Sequence, residues 1–228
     1  MSTGAREALV QIAANGLRLP GELAVPESAG GIVLFAHGSG SSRNSPRNRR
    51  VALELTSAGI GTLLFDLLTA EEDRDYSTRF DIALLASRLA SATEWLASQT
   101  AARGLPLGYF GASTGAAAAL IAAEKFGSSI GAVVSRGGRP DLAGSDVLAR
   151  VGVPTLLIVG GEDHEVIALN RKAYARLACP KALQIVPGAT HLFEEQGALE
   201  HVASLAEQWF RRWLVVAARR AGAEETRG

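Results

Sequence analysis

The chain has 228 residues, with 23 basic and 23 acidic side chains and a formal net charge of zero. This length suits one well-buried α/β domain and is short for two, and a neutral chain without a segregated basic tract is not typical of nucleic-acid binding. The start of the chain lacks a signal-like pattern, no apolar run approaches the roughly 20 residues that span a bilayer, and a single cysteine suits a reducing compartment, so we expect a cytoplasmic protein with neither nucleic acid nor membrane as a partner.

Strand and helix signals alternate along the chain, which is typical of a parallel-sheet protein. An opening antiparallel hairpin is predicted over 10–14 and 17–25, because Asn15-Gly16 favours a two-residue turn. The further predicted elements are strand 31–36, helix 47–57, strand 61–66, helix 79–99, a strand and a helix within 107–126, strands 130–135, 154–160 and 181–186, and helix 198–216. We expect one α/β domain over 1–228, with about eight mostly parallel strands, helices on both faces and a frayed tail from about 219.

The segment 107–115 is an apolar run that breaks into G-x-S-x-G around Ser113 and continues as an alanine-rich helical pattern. This form is typical of a nucleophile elbow, a strained turn that exposes a serine hydroxyl at a helix N-terminus. Side chains at Gly111 and Gly115 would collide with the neighbouring strand and helix, which explains both glycines. Close packing of a helix on a sheet explains the pentapeptide alone about equally well, so the assignment depends on partners for Ser113.

The candidate acid is Asp163, which follows the predicted buried strand 154–160 and therefore lies at the carboxyl end of the sheet. A carboxylate there orients the base of a catalytic triad in the chain order Ser, Asp, His. The alternative role for Asp163 is the N-cap of a helix that starts near Glu165. Asp141, after the preceding strand, is the alternative acid.

The candidate base is His191, in the loop after the predicted strand 181–186. Elimination supports this choice, since the chain has four histidines and the other three are less well placed. They are His37, which opens a glycine loop, His164, which adjoins the proposed acid, and His201, on the closing helix. A structural loop histidine explains His191 alone, but not the ordered set of three residues that each follow a predicted strand.

The glycine loop 37–43 follows an apolar strand and is predicted to supply part of an oxyanion hole. We assign the two backbone N–H donors to Ser39 and to Thr114, the residue after the nucleophile. A phosphate-binding loop is the rival interpretation, but the third glycine of a dinucleotide fingerprint would fall on Arg43 and no P-loop motif is present. The acidic run 71–75 lacks metal-ligand spacing, so the sequence predicts neither a cofactor nor a metal.

Taken together, HGSGSS, GASTG, GGEDHEV and GATHLF resemble the α/β-hydrolase superfamily, and within it the compact, lidless dienelactone hydrolase-like group. The resemblance implies an α/β-hydrolase fold over nearly the whole chain. Dienelactone hydrolases proper use a cysteine nucleophile, whereas this chain has Ser113 there and its one cysteine is Cys179, near the end of a predicted helix. A serine esterase rather than a dienelactone hydrolase proper is therefore the expected activity.

The expected mechanism is attack of Ser113 on the carbonyl of a small ester, lactone or thioester, with His191 as base and Asp163 fixing its tautomer. Acyl transfer or perhydrolysis on the same triad, and a non-catalytic binding module, are the alternatives. Because only a short connection follows strand 130–135, where many α/β-hydrolases insert a lid, we expect an open site. Arg136 in this turn is a candidate for binding a substrate carboxylate, with a structural role as the alternative.

Overall fold

The computed structural model describes residues 5–225 as one eight-stranded sheet with helices on both faces. The strands are β1 (Ala5–Ala14), β2 (Leu17–Pro26), β3 (Ile32–Ala36), β4 (Gly61–Phe65), β5 (Leu107–Ala112), β6 (Ile130–Arg136), β7 (Thr155–Gly160) and β8 (Lys181–Val186). The α-helices are α1 (Pro46–Ser57), α2 (Ile82–Ala97), α3 (Thr114–Phe126), α4 (Ser145–Arg150), α5 (His164–Arg176) and α6 (Ala198–Glu225). This architecture confirms the expected α/β-hydrolase fold, and residues 5–225 contain no lid domain.

The strand order is β1-β2-β4-β3-β5-β6-β7-β8. β1 pairs antiparallel with β2, and β2 antiparallel with β4, whereas every pair from β4 through β3 to β8 is parallel. The hairpin turn has the predicted form, because Asn15 and Gly16 both have positive φ, at 48° and 80°. The carboxyl ends of the parallel strands meet at one edge of the sheet, so the loops that follow β3, β5, β7 and β8 converge there.

Two helix boundaries differ by more than two residues from those expected from the sequence. α2 begins at Ile82 rather than near 79, because the Asp81 side chain accepts a hydrogen bond from Leu84 N–H and caps the helix there. α6 continues to Glu225, so the part of the expected frayed tail that lies within the described residues is helical. The last three residues, 226–228, lie outside them.

The sheet separates two apolar clusters, one under α2 to α5 and the other under α1 and α6. Tyr109 and Phe110 of β5 are both fully buried and belong to opposite clusters, because side chains alternate along a strand. Burial on both faces explains why the central strands read as continuous apolar runs. No helix in the described part of the chain is long and apolar enough to cross a membrane.

Candidate active site

Ser113 occupies the sharp turn between β5 and α3, with φ 50° and ψ −121°. A positive φ is unusual for a residue with a side chain, and the surrounding backbone holds it in place. Ser113 N–H donates to Arg136 O at 3.2 Å, and Ser113 O accepts from Arg139 N–H at 3.0 Å. The nucleophile candidate is therefore fixed by β6 and the turn that follows it.

The two glycines of the pentapeptide lie where the backbone is too close for a side chain. A β-carbon at Gly111 would lie 2.5 Å from Ala116 Cα, and one at Gly115 would lie 2.1 Å from Ala36 O. The collisions with helix and strand that the sequence predicts are thus both present. Four small residues, Ala116 to Ala119, are fully buried and let α3 lie directly on the sheet.

Asp163 and His191 come together from loops that follow neighbouring strands. His191 Nδ1 lies 2.6 Å from Asp163 Oδ2, and 39% of the His191 side chain but only 14% of the Asp163 side chain is exposed. The two loops are joined by backbone as well, since Glu162 N–H donates to Ala189 O at 3.0 Å. A carboxylate at Nδ1 leaves Nε2 as the nitrogen available to a nucleophile.

Gly137, in the turn after β6, lies between the histidine loop and the elbow. Its N–H donates to Ile158 O on β7. A β-carbon at Gly137 would lie 3.6 Å from His191 Cε1, so the imidazole packs against the residue that follows Arg136. Within residues 5–225 the hydrogen bonds of the His191 ring include the one to Asp163 and none from Ser113 Oγ. Such a bond is often long before substrate binds and tightens in the reacting complex.

The alternative acid, Asp141, has a different partner. Arg139 Nε and Nη2 donate to its two carboxylate oxygens at 2.9 and 2.8 Å, in a bidentate pair. This carboxylate raises the pKa of Arg139 above its ordinary value, chiefly through the hydrogen bonds. The structure therefore brings His191 to Asp163 and not to Asp141.

Ser39 and Thr114 also lie together, but not as two free donors. Ser39 N–H donates to Thr114 Oγ1 at 2.9 Å, and Thr114 is 2% exposed. The loop passes beside the nucleophile, since a β-carbon at Gly38 would lie 2.9 Å from Ser113 Cβ. The side chain of Thr114 is thus part of the site, a feature that the backbone-donor assignment did not include.

His37 links the same loop to the segment after β4 through two hydrogen bonds. Its Nε2 accepts from Leu67 N–H at 2.9 Å, so Nδ1 carries the proton and donates to Gly38 O at 3.0 Å. Burial lowers the pKa of His37 from its ordinary value, which favours this neutral form. The sequence located His37 in the oxyanion loop but gave no sign of its partner, which lies 30 residues away.

Arg136 ends β6 with its guanidinium buried, at 7% exposure. Its Nη2 donates to Asn48 Oδ1 at 3.4 Å, and its Cζ lies 5.8 Å from the centre of the Phe193 ring. Its Nε has no hydrogen-bond partner among the described side chains of residues 6–214. Burial, followed by repulsion from Arg47, lowers its pKa to about 10. The site contains a buried cation whose contacts here are an amide and an aromatic ring.

The chain matches no protein-family model. A Mycobacterium tuberculosis protein named "Putative phosphoribosyl transferase" is 60% identical over 205 residues, which make up 90% of this chain and 46% of that protein. The same match is found in a second strain. The chain thus spans about half the length of these curated relatives.

Two solved structures give the structural comparison. A dienelactone hydrolase from Anabaena variabilis is 55% identical, with 92% of this chain and 98% of that chain covered and a TM-score of 0.88. The esterase domain of a Rhodothermus marinus protein is 22% identical, with 92% and 100% covered and a TM-score of 0.74. The second likeness shows the fold alone, whereas the first extends to the sequence over nearly the full length of both chains.

Proposed function

We propose that this chain, which belongs to the dienelactone hydrolase-like group of α/β-hydrolases, is a serine hydrolase that cleaves small carboxylic esters through an acyl-serine intermediate. The observation that carries the proposal is the 2.6 Å contact between His191 Nδ1 and Asp163 Oδ2, at the sheet edge where Ser113 is held in a strained turn. Lactones and thioesters present the same reacting carbonyl and fall within the proposal.

The arrangement assigns a role to each residue. His191 Nε2 takes the hydroxyl proton of Ser113 as Oγ attacks the carbonyl, and Asp163 stabilises the imidazolium through Nδ1–H. The Thr114 N–H at the start of α3 faces the negative charge that develops on the carbonyl oxygen, and the glycine loop adjoins it through the hydrogen bond from Ser39 N–H to Thr114 Oγ1. Collapse of the tetrahedral intermediate expels the alcohol, which takes the proton from His191. In the second step His191 takes a proton from water as the water attacks the acyl-serine, and then returns it to Ser113 Oγ.

Arg136 extends the proposal to substrates that carry a carboxylate. Arg136 pairs with Ala112, the residue before Ser113, and its buried guanidinium has no carboxylate neighbour among the side chains that the structure describes, those of residues 6–214. A substrate anion would provide the missing countercharge through a charge-assisted hydrogen bond.

Phosphoribosyl transfer is not proposed for this chain. More than half of the length of the relatives with that name lies outside the match, and the matched part corresponds to the hydrolase domain described here.

The proposal is tested with a fluorophosphonate and a series of p-nitrophenyl esters of increasing acyl length. We expect one label, located at Ser113 by mass spectrometry, and loss of both labelling and hydrolysis in Ser113→Ala with an unchanged unfolding temperature. Product analysis in the presence of alcohol or peroxide distinguishes hydrolysis from acyl transfer and perhydrolysis. A label on another serine, or an active Ser113→Ala, would contradict the elbow assignment. Absence of both labelling and turnover would favour the binding module.

A further inference from the structure

We infer that the Thr114 hydroxyl is itself a hydrogen-bond donor to the oxyanion, so that one residue contributes both a backbone and a side-chain donor. The Ser39 N–H then donates to this hydroxyl rather than directly to the substrate. The inference rests on the proposed function, because it concerns the negative charge that forms when Ser113 attacks a carbonyl.

The direction of the Ser39 N–H is fixed by the peptide unit to which it belongs. Gly38 O, on the same peptide, accepts from His37 Nδ1 at 3.0 Å. The C=O and N–H of a trans peptide point in opposite directions, so the N–H points away from His37. It meets Thr114 Oγ1 at 2.9 Å. The loop donor is therefore already engaged before any substrate enters.

The hydroxyl that receives this hydrogen bond still has a proton to give. A threonine oxygen both accepts and donates, and the partner of Thr114 Oγ1 within residues 5–225 is a donor, the Ser39 N–H. Thr114 is 2% exposed, so an unused O–H there would be a buried donor that substrate can satisfy. Only three covalent bonds separate Oγ1 from the Thr114 nitrogen, so the two donors are close enough to reach the same substrate oxygen.

All groups in this chain of hydrogen bonds donate in one direction. Leu67 N–H donates to His37, His37 to Gly38 O, and Ser39 N–H to Thr114, at 2.9, 3.0 and 2.9 Å. Bonds arranged in this way polarise one another and so strengthen the last donor of the chain. The Thr114 O–H is that last donor, adjacent to Ser113.

The experiment compares Thr114→Val, which keeps the shape and removes the hydroxyl, with Thr114→Ser, which keeps the hydroxyl. Because removal of one oxyanion donor typically costs about 10²–10³ in kcat, we expect a loss of that size in Thr114→Val with little change in KM. Thr114→Ser should stay within about tenfold of the native kcat by the same argument. Thr114→Ala is the second truncation, and it serves if valine disturbs the fold.

Thr155→Val is the matched control. Thr155 on β7 is also fully buried, and its hydroxyl donates to Val153 O at 2.8 Å, away from the site. This variant should lose some stability and keep its kcat. A second readout is the rate ratio of an ester to its thionoester, since sulfur is the poorer acceptor. The ratio should fall in Thr114→Val and stay unchanged in Thr155→Val.

The outcomes separate this inference from the proposed function. If the native protein hydrolyses esters and Thr114→Val is equally fast or faster, the hydroxyl only blocks the Ser39 N–H and the inference is wrong, while the proposed function stands. If the native protein neither hydrolyses esters nor reacts with the fluorophosphonate, both are wrong. A lower kcat in Thr114→Val with an unchanged thionoester ratio shows a structural role and also overturns the inference.

Discussion

The nucleophile and the acid–base pair are held in different ways. Ser113 is fixed by backbone hydrogen bonds from β6 and the turn after it, and α3 packs so closely that position 115 accepts no side chain. His191 is 39% exposed and depends on one side-chain contact with Asp163. The first region is held by steric exclusion and backbone hydrogen bonds, and the second by the contact between His191 and Asp163 together with the backbone hydrogen bond that joins their loops. A side chain added at a packing glycine of the first region should damage the fold, whereas a substitution in the second should damage the chemistry alone.

The largest effect is expected at the acid. Asp163→Asn keeps the shape but permits the wrong imidazole tautomer, so kcat should fall by about ten-thousandfold with native stability. Asp141→Asn, which removes the partner of Arg139, should retain most of the activity. Initial rates on one soluble ester, together with thermal unfolding of both variants, provide the measurement. The opposite ranking would place the acid at Asp141 and remove the distinction between the two regions.

Gly115→Ala should show the steric side of the comparison. Its β-carbon would meet Ala36 O at 2.1 Å, and because both atoms belong to backbone-fixed positions we expect destabilisation at the upper end of the roughly 1–3 kcal/mol typical of overpacking. Gly30→Ala is the control, since a β-carbon at Gly30 meets nothing within 4 Å. Urea titration gives both values. Equal stability of the two variants would show that the elbow is less constrained than its geometry indicates.

Arg136 lies between the two regions, since its carbonyl holds Ser113 and its side chain packs near Phe193 of the histidine loop. A charge-assisted hydrogen bond contributes about 1.5–3 kcal/mol, so Arg136→Ala should lose roughly 10- to 100-fold on a carboxylate-bearing ester relative to a neutral ester of the same length. Equal losses in kcat/KM on the two esters would assign Arg136 a structural role that links the regions.

The smallest effect concerns His37. Burial lowers its pKa, so the unfolded chain binds a proton more readily than the folded protein. The stability that His37 contributes is therefore present above its unfolded pKa of about 6.5 and is lost as the pH falls below that value. His37→Gln should therefore flatten the pH dependence of the unfolding free energy below about pH 6.5, where the slope for one proton is at most roughly 1.4 kcal/mol per pH unit. His201→Gln, at an exposed position on α6, is the control for the loss of an imidazole elsewhere in the chain.

Local signals in the sequence were sufficient for most of the fold. Asn15-Gly16 located the hairpin turn, and the apolar run 181–186 matches β8 residue for residue. The start of α2 was displaced because the capping role of Asp81 was not recognised beside the equally polar residues before it. The first residue of a helix depends on which of several polar side chains caps it. The existence of the helix depends on a longer apolar pattern, which is easier to recognise.

The sequence predicts those residues of the site whose position follows from the end of a strand. Ser113, Asp163 and His191 each follow a strand, and parallel strands bring such residues to one edge. The hydrogen bond from Ser39 N–H to Thr114 Oγ1 joins residues 75 positions apart, and nothing in either residue specifies it. Side-chain contacts of this kind follow from the relative placement of loops, which single-sequence patterns do not encode.

The hydrogen bonds that hold Ser113 in its positive φ also set the time at which the nucleophile appears during synthesis. Both come from residues that follow it in the chain, Arg136 O and Arg139 N–H, and so from a strand made after the elbow itself. A growing chain that ends before β6 has the complete G-x-S-x-G motif but nothing to keep the serine strained. A fragment that stops short of β6 lacks these two hydrogen bonds as well as the later Asp163 and His191, so it should remain unlabelled by an active-serine reagent.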